Sequence, residues 1–333
     1  MLQSDRIKIT SSSQFFTIPP NSDFITSTND KTGMSYKKYT SKSPFFLSIM
    51  INHNTDRATV EFTSKILGNR CVELISINNI HDCFKSIHDS GVCHIEYEQL
   101  IDNATVNKID VTMDLELPMT DATKTVLQMA IKDSGKWESK IRKNDGIDIK
   151  KDVKSDSRRK ERLSLYNKGK EILLSKNKPF LSSLSNSNQI LEYFQNRTRI
   201  EYNITSRSMI KEILQLDTLE LKTVLVSKVN PIEKLCSKVF DRSLLEGIQH
   251  GKLNYMLFDT IQEFYRSLLL EKYEDDQRDV DRILKYFYSS KTNLRSIRKQ
   301  FKATMNKRLS ASQDFTNHIE IFDNVMTQIK LAS

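Results

Sequence analysis

The chain has 333 residues, 38% apolar and 28% charged, with a formal net charge of +9 and a pI near 9.2. This length suits one large domain or two ordinary ones, and the excess of basic groups favours a polyanionic partner. No run nears the ~18 apolar residues of a membrane span, no apolar h-region marks a signal peptide, and no glycine-rich phosphate loop points to NTP hydrolysis. Cys71, Cys83, Cys93 and Cys236 have neither C-x-x-C spacing nor disulfide density, so they read as free, buried thiols in a reducing compartment.

Residues 1–44, rich in Ser, Thr, Asn and Lys with Pro19, Pro20 and Pro44 as breakers, predict an irregular lead-in with one strand near Gln14 to Ile18. SPFFLSIMIN is a bounded apolar run and predicts a strand. TVEFTSK alternates, with Val60 and Phe62 on one face and Glu61 on the other, and RCVELISI predicts a further strand. In NNIHDCFKSIHD, Ile80, Cys83, Phe84 and Ile87 recur at helical spacing. CHIEYEQL alternates again and would place His94, Glu96 and Glu98 together. NKIDVTMDLEL sets Ile109, Val111, Met113 and Leu115 opposite Lys108, Asp110, Thr112 and Asp114. A helix follows through DATKTVLQMAIKD, capped by Thr120. Periodicity is then lost over 134–160. RLSLY and TRIEYNIT close the set of alternating strands, the first carrying Tyr166 on its polar face and the second Glu201.

From Ser208 onward the pattern is helical: SMIKEILQLDTLELKTVLV, then a helix opened by Pro231, then three more. The prediction is α+β: a mainly antiparallel central sheet with helices on one face over 45–207, its open face holding the site, followed by a helical C-terminal region over 208–333.

Tyr166 is followed by Asn167, Lys168, Gly169 and Lys170. A phenolate there can attack a phosphodiester while Lys168 and Lys170 hold the phosphate and offset developing charge. The plainer alternative is a strand tyrosine beside solvated lysines. Glu61, Asp110, Asp114 and Glu201 stand on polar strand faces, and if those strands share a sheet the acids converge on the phenol. Oxygen ligands of this kind suit Mg²⁺ or Mn²⁺. Seven of the thirteen residues from Lys150 to Arg162 are basic. Arg158, Arg159, Lys160 and Arg162 lead straight into the tyrosine strand, as a loop lying on a phosphate backbone or as a solvated one. The basic helix TNLRSIRKQFKATMNKRL, with Arg295, Arg298 and Lys299, either enters a DNA groove or coats the domain with charge.

The ordered set VEFTSKIL, KIDVTMDLE, LSLYNKGKE and RIEYNIT, spanning roughly Asp56 to Arg207, resembles the rolling-circle replication initiators of phages and plasmids, in particular the gene II/gene X type and the related plasmid Rep relaxases. The resemblance implies that Tyr166 nicks one DNA strand and stays joined to its 5′ phosphate, with Asp110, Asp114 and Glu201 binding metal and Glu61 a further candidate. It also implies an origin DNA partner, with a host helicase or polymerase, in the cytoplasm of a bacterial host. Two departures stand out: Lys108 replaces the usual arginine, and no His-hydrophobe-His triplet is present. The alternatives are a non-catalytic DNA-binding initiator and a single-stranded nucleic-acid-binding protein.

Overall fold

The structure is a computed structural model describing residues 1–28, 32–132, 137–142, 145–151, 160–249, 260–273, 277–287 and 291–331. The chain forms two compact units, one of Met1–Lys124, Asp133–Val239 and Val325–Ser333, the other of Thr125–Lys132 and Phe240–Asn324. In chain order the strands are β1 (Ser4–Ser11), β2 (Phe16–Thr17), β3 (Ile25–Thr28), β4 (Ser35–Ser41), β5 (Leu47–Asn52), β6 (Arg57–Thr63), β7 (His94–Ile95), β8 (Thr105–Leu115), β9 (Trp137–Arg142), β10 (Gly146–Lys151), β11 (Arg162–Asn167) and β12 (Thr198–Ile204). The helices of the first unit include α1 (Ile80–Asp89) and α2 (Tyr97–Asn103). After α3 (Asp121–Met129) come α4 (Lys168–Ile172), α5 (Lys178–Ser182), α6 (Ser187–Phe194), α7 (Arg207–Leu214), α8 (Leu221–Leu225) and α9 (Pro231–Val239). The chain continues through α10 (Arg242–Gln249), α11 (Ile261–Lys272), α12 (Gln277–Phe287) and α13 (Lys291–Leu331).

The fold is the expected α+β type. One ten-stranded sheet runs β3-β4-β5-β6-β1-β8-β12-β11-β10-β9, antiparallel at every pairing. Alternation puts Ile7, Ile9, Phe62, Ile109, Leu163, Leu165, Ile200 and Tyr202 on one face, all buried. At roughly 25 cal/mol per Å² of apolar area, each contributes about 1.5–3 kcal/mol. Helix α1 packs on that face, Phe84 meeting Phe62 edge-on at 5.5 Å. Over the other face lies a smaller layer in which Phe180 of α5 and Ile190 and Phe194 of α6 gather with Cys71 and Ile172. In the second unit, Leu270, Val280 and Leu284 form a core with Leu294, Ile297 and Phe301 packed against it. Among the described residues no helix is long and apolar enough to cross a membrane.

Five sequence expectations are corrected. The N-terminal lead-in is not irregular, since β1 lies at the sheet's centre between β6 and β8; the alternation in RIKIT was its signal. RCVELISI is no strand: 3-10 turns span Ser64–Glu73, and Asn79 then ties down the chain by donating to the Leu74 carbonyl and accepting from the Ser76 amide. CHIEYEQL yields only two strand residues before α2 begins, because Leu100, Ile101 and Ala104 bury at helical spacing. Glu98 consequently turns to His81, at 2.9 Å, and the expected His94–Glu96–Glu98 row does not form. The 134–160 stretch contains β9 and β10, where Ile147 and Ile149 are fully buried against β11. The helix expected from 208 also breaks, at Gln215 in the left-handed conformation, and Leu219 and Leu221 then exchange backbone bonds with Val106 and Ala104.

Candidate active site

Register decides which side chains meet. Glu61 pairs with Lys8, Asp110 with Arg6 and Asn203, Glu201 with Thr112 and Ser164, and Arg199 with both Asp114 and Tyr166. Residues directly opposite across strands share a face. Glu61, Asp110, Asp114, Glu201 and Tyr166 therefore stand on one surface, the face opposite the apolar core.

Its centre is Arg199, 1% exposed. The guanidinium grips Asp114 with two bonds, Nε to Oδ1 at 2.7 Å and Nη2 to Oδ2 at 2.8 Å, and donates Nη1 to Asp5 Oδ1 at 2.9 Å. Asp5 arrives through a β-bulge: the register slips between Ser4 and Arg6, which turns the extra residue's side chain onto this face. Burial pushes the Asp5 carboxyl up, but Arg199 and Lys168 bring it below its usual value. Burial likewise opposes the Arg199 charge, and Asp114 more than restores it.

Tyr166 donates its hydroxyl to Glu201 Oε1 at 2.5 Å. It lies on the polar face as expected, yet it is covered, only 4% exposed. Burial and then the Glu201 charge hold the phenol well above its ordinary pKa, so it is a proton donor. Glu201 is itself raised, by burial and then by Asp5. The cation nearest the ring is neither predicted lysine but Arg142, its guanidinium 4.6 Å from the ring centroid. Arg142 Nη1 is buried and has no hydrogen-bond partner among the described residues.

Gly146 makes this contact possible. It pairs with Arg142 on one side and Tyr166 on the other, and with no side chain it leaves the arginine room to reach across the strand. A Cβ there would lie 2.6 Å from both Tyr166 Cβ and the Leu165 carbonyl oxygen. Gly146→Ala is expected to destabilise by about 1–3 kcal/mol, as overpacking does, read by urea unfolding. A variant as stable as wild type would show that β10 moves aside freely.

The predicted lysines are otherwise engaged. Lys168 is buried, with Nζ 2.8 Å from Glu171 Oε2 and 5.8 Å from the Tyr166 ring centroid. Burial raises Glu171, but Lys168 and Lys176 hold it well below the carboxylate range. Lys170 pairs with Asp145.

The four acids expected to share a metal also separate. Asp114 has both oxygens on Arg199, and Glu61 sits 2.6 Å from Arg6 with Lys108 and Lys8 beyond. Among the described residues no group of three His, Cys, Asp or Glu side chains gathers as a metal cage. Asp110 and Glu201 differ from the other two. Asp110 accepts from Asn203, and its nearest cation is Lys108 at 3.9 Å. Burial, only partly offset by Lys108 and reinforced by Glu201, raises Asp110 to about 6.

Among the predicted DNA contacts, Arg158 and Arg159 lie outside the described residues, and Lys160 is exposed. Arg162 donates Nη2 to Asp148 at 2.8 Å. In the second unit Arg295 and Lys299 are exposed, while Arg298 pairs with Asp281 at 2.9 Å. The residues that sequence reasoning missed are Asp5, Arg142 and Gly146. Only Asp5 had a legible signal, in the alternation that follows it.

A model of the family described as the N-terminal part of the replication-associated gene II protein matches residues 74–222, which include Asp110, Asp114, Arg142, Gly146, Tyr166, Arg199 and Glu201. Comparison with curated proteins and with solved structures gave no match.

Proposed function

We propose that the chain is a phage replication initiator, as the family model matched over residues 74–222 implies, and that it nicks one DNA strand with Tyr166 as nucleophile. The observation that carries this reading is the Tyr166 hydroxyl on Glu201 at 2.5 Å, with Asp110 beside them on one sheet face. As the phenolic oxygen bonds to phosphorus, its proton passes to Glu201 and the P–O3′ bond breaks. The 3′ oxygen leaves as a hydroxyl, protonated from water, and serves as primer. The 5′ phosphate stays on the tyrosine. Arg142, with its unpartnered Nη1 beside the ring, replaces Lys168 and Lys170 as the group that holds the scissile phosphate.

Two partly buried carboxylates, neither gripped by an arginine among the described residues, suit Mg²⁺ or Mn²⁺, which bind through one or two carboxylates plus substrate phosphate and keep several waters. Asp110 and the second Glu201 oxygen would hold the ion. When bound it supplies electrophilic stabilisation of phosphate charge.

The test is a single-stranded oligonucleotide with labelled 5′ product, incubated with protein and Mn²⁺ and run on a denaturing gel. Label migrating with protein is expected; cleavage without any protein-linked label would rule out the tyrosine route. Asp110→Asn and Glu201→Gln should each weaken Mn²⁺ binding by more than the roughly 10–100-fold loss seen for outer-shell substitutions. Unchanged Mn²⁺ affinity in calorimetric titration would remove both residues from the metal site. A pH signature accompanies this. A carboxyl raised in the folded state stabilises most below its unfolded pKa of 3.8 and loses that contribution as pH rises through about 6. Metal-free protein should lose about 2–3 kcal/mol over that window, and Mn²⁺ at pH 7 should restore it. A flat melting temperature across the window would contradict this.

A further inference from the structure

On the same sheet face, at the end away from Tyr166, an open groove of about 970 Å³ is bounded by β4, β5, β6, β1, β8 and the start of α7. Four cations on different elements converge on it: Lys8, Arg57, Lys108 and Arg207. Among the described residues no carboxylate lines it, and neither Arg57 nor Arg207 pairs with an acid. Most arginines of the site region have such partners, including Arg142, Arg162, Arg197 and Arg199. Lys8 and Lys108 stand 3.8 and 3.7 Å from Glu61, whose nearer partner is Arg6. The wall is not purely electrostatic, because Tyr36 and Met50 add ring and thioether surface between the charges.

We infer that this groove binds the single-stranded DNA that flanks the scissile phosphate; the choice of ligand rests on the nicking reading above. A row of cations with an aromatic and an apolar wall is the chemistry that holds phosphates while bases stack. Its placement also fits. Lys108 on β8 is two strands across from Tyr166 on β11, about 10 Å at about 4.8 Å per strand. It is also six residues along, being level with Thr205 while Tyr166 pairs with Arg199, so at about 3.3 Å per residue the groove begins roughly 20 Å from the nucleophile. A stacked strand covers that with about six phosphates at 3.4 Å each. Most of the groove comes from residues before 74, so the strand path is a property of this chain's N-terminal strands beyond the matched segment.

The test uses the full chain and a labelled single-stranded oligonucleotide of about 12 nucleotides, read by fluorescence anisotropy at several salt concentrations. Arg57→Glu/Arg207→Glu, both exposed positions, should lose at least about tenfold in affinity. Its salt slope should be shallower by about 1.4, at 0.7 per lost phosphate contact. Tyr36→Ala should also lose roughly tenfold through stacking. Arg57→Gln/Arg207→Gln should shift affinity in the same direction by less, which separates charge from local damage. At saturating oligonucleotide the Arg57→Glu/Arg207→Glu variant should still form the covalent adduct. Unchanged affinity and slope would overturn the groove, and an equal loss on duplex DNA would overturn the single-strand assignment. Reduced binding by the variant, with no adduct even from wild type, would sustain the groove and sink the nicking chemistry.

Discussion

Tyr166→Phe should abolish the protein-linked DNA adduct and reduce nicking by at least about 10³-fold, while oligonucleotide binding stays within a factor of about two. The substitution removes one oxygen. The ring, its contact with Arg142 and its place beside Gly146 are retained. Glu201 loses the hydroxyl that it accepts, and a buried acceptor left without its donor costs about 1–3 kcal/mol. The variant should therefore melt lower than wild type yet fold, and circular dichroism would establish that. The adduct assay then separates chemistry from stability. An adduct that persists in the Phe variant would move the nucleophile to another tyrosine. Tyr202, on the opposite face with its hydroxyl on Glu161 at 3.0 Å, would be a poor replacement. Loss of both adduct and binding would instead mean that the substitution had collapsed the face.

What could be read in the sequence was governed by period and by distance along the chain. Strands such as β8, β11 and β12 alternate cleanly, so their polar and apolar faces were legible before any pairing was known. Which polar faces adjoin was not, because the register that sets Arg199 between Asp114 and Tyr166 joins residues 85 and 33 positions apart, by subtraction of their numbers. Composition also misled: the basic residues around Lys150 drew attention as a loop and hid β10, whose Gly146 and Ile147 face opposite ways within it. Charge counting overstated the metal site for a related reason. A carboxylate on the correct face becomes a ligand only if no arginine claims it, and Arg199 and Arg6 claim Asp114 and Glu61. The burial of Tyr166 depends on Arg142 and the short helices laid over the face, and no local pattern announces such a layer.

Arg199→Met should be the most destabilising single change in the first unit. Asp114 and Asp5 share this one cation, and removing it leaves two carboxylates buried with reduced compensation. Breaking a buried pair in this way typically costs about 3–5 kcal/mol. At about 2–4 °C per kcal/mol for a unit of this size, the melting temperature should fall by roughly 10 °C or more. Arg199→Lys should lie only partly between, since one ammonium cannot reproduce the two-bond grip on Asp114 while reaching Asp5. The sign of the pH dependence provides a second check. Asp5 is held below its ordinary value in the folded state, so its pairing stabilises above the unfolded pKa of 3.8 and is lost as pH falls through the folded one. The gap between wild type and Arg199→Met should therefore be widest near neutral pH and narrow on acidification. Pairing the substitution with Asp114→Leu should recover part of the loss, because an apolar pair of similar volume avoids the unpaired charge. If Arg199→Met instead melts within about 1 °C of wild type at pH 7, water reaches these carboxylates, and the arginine is not the hub that organises the face beneath Tyr166.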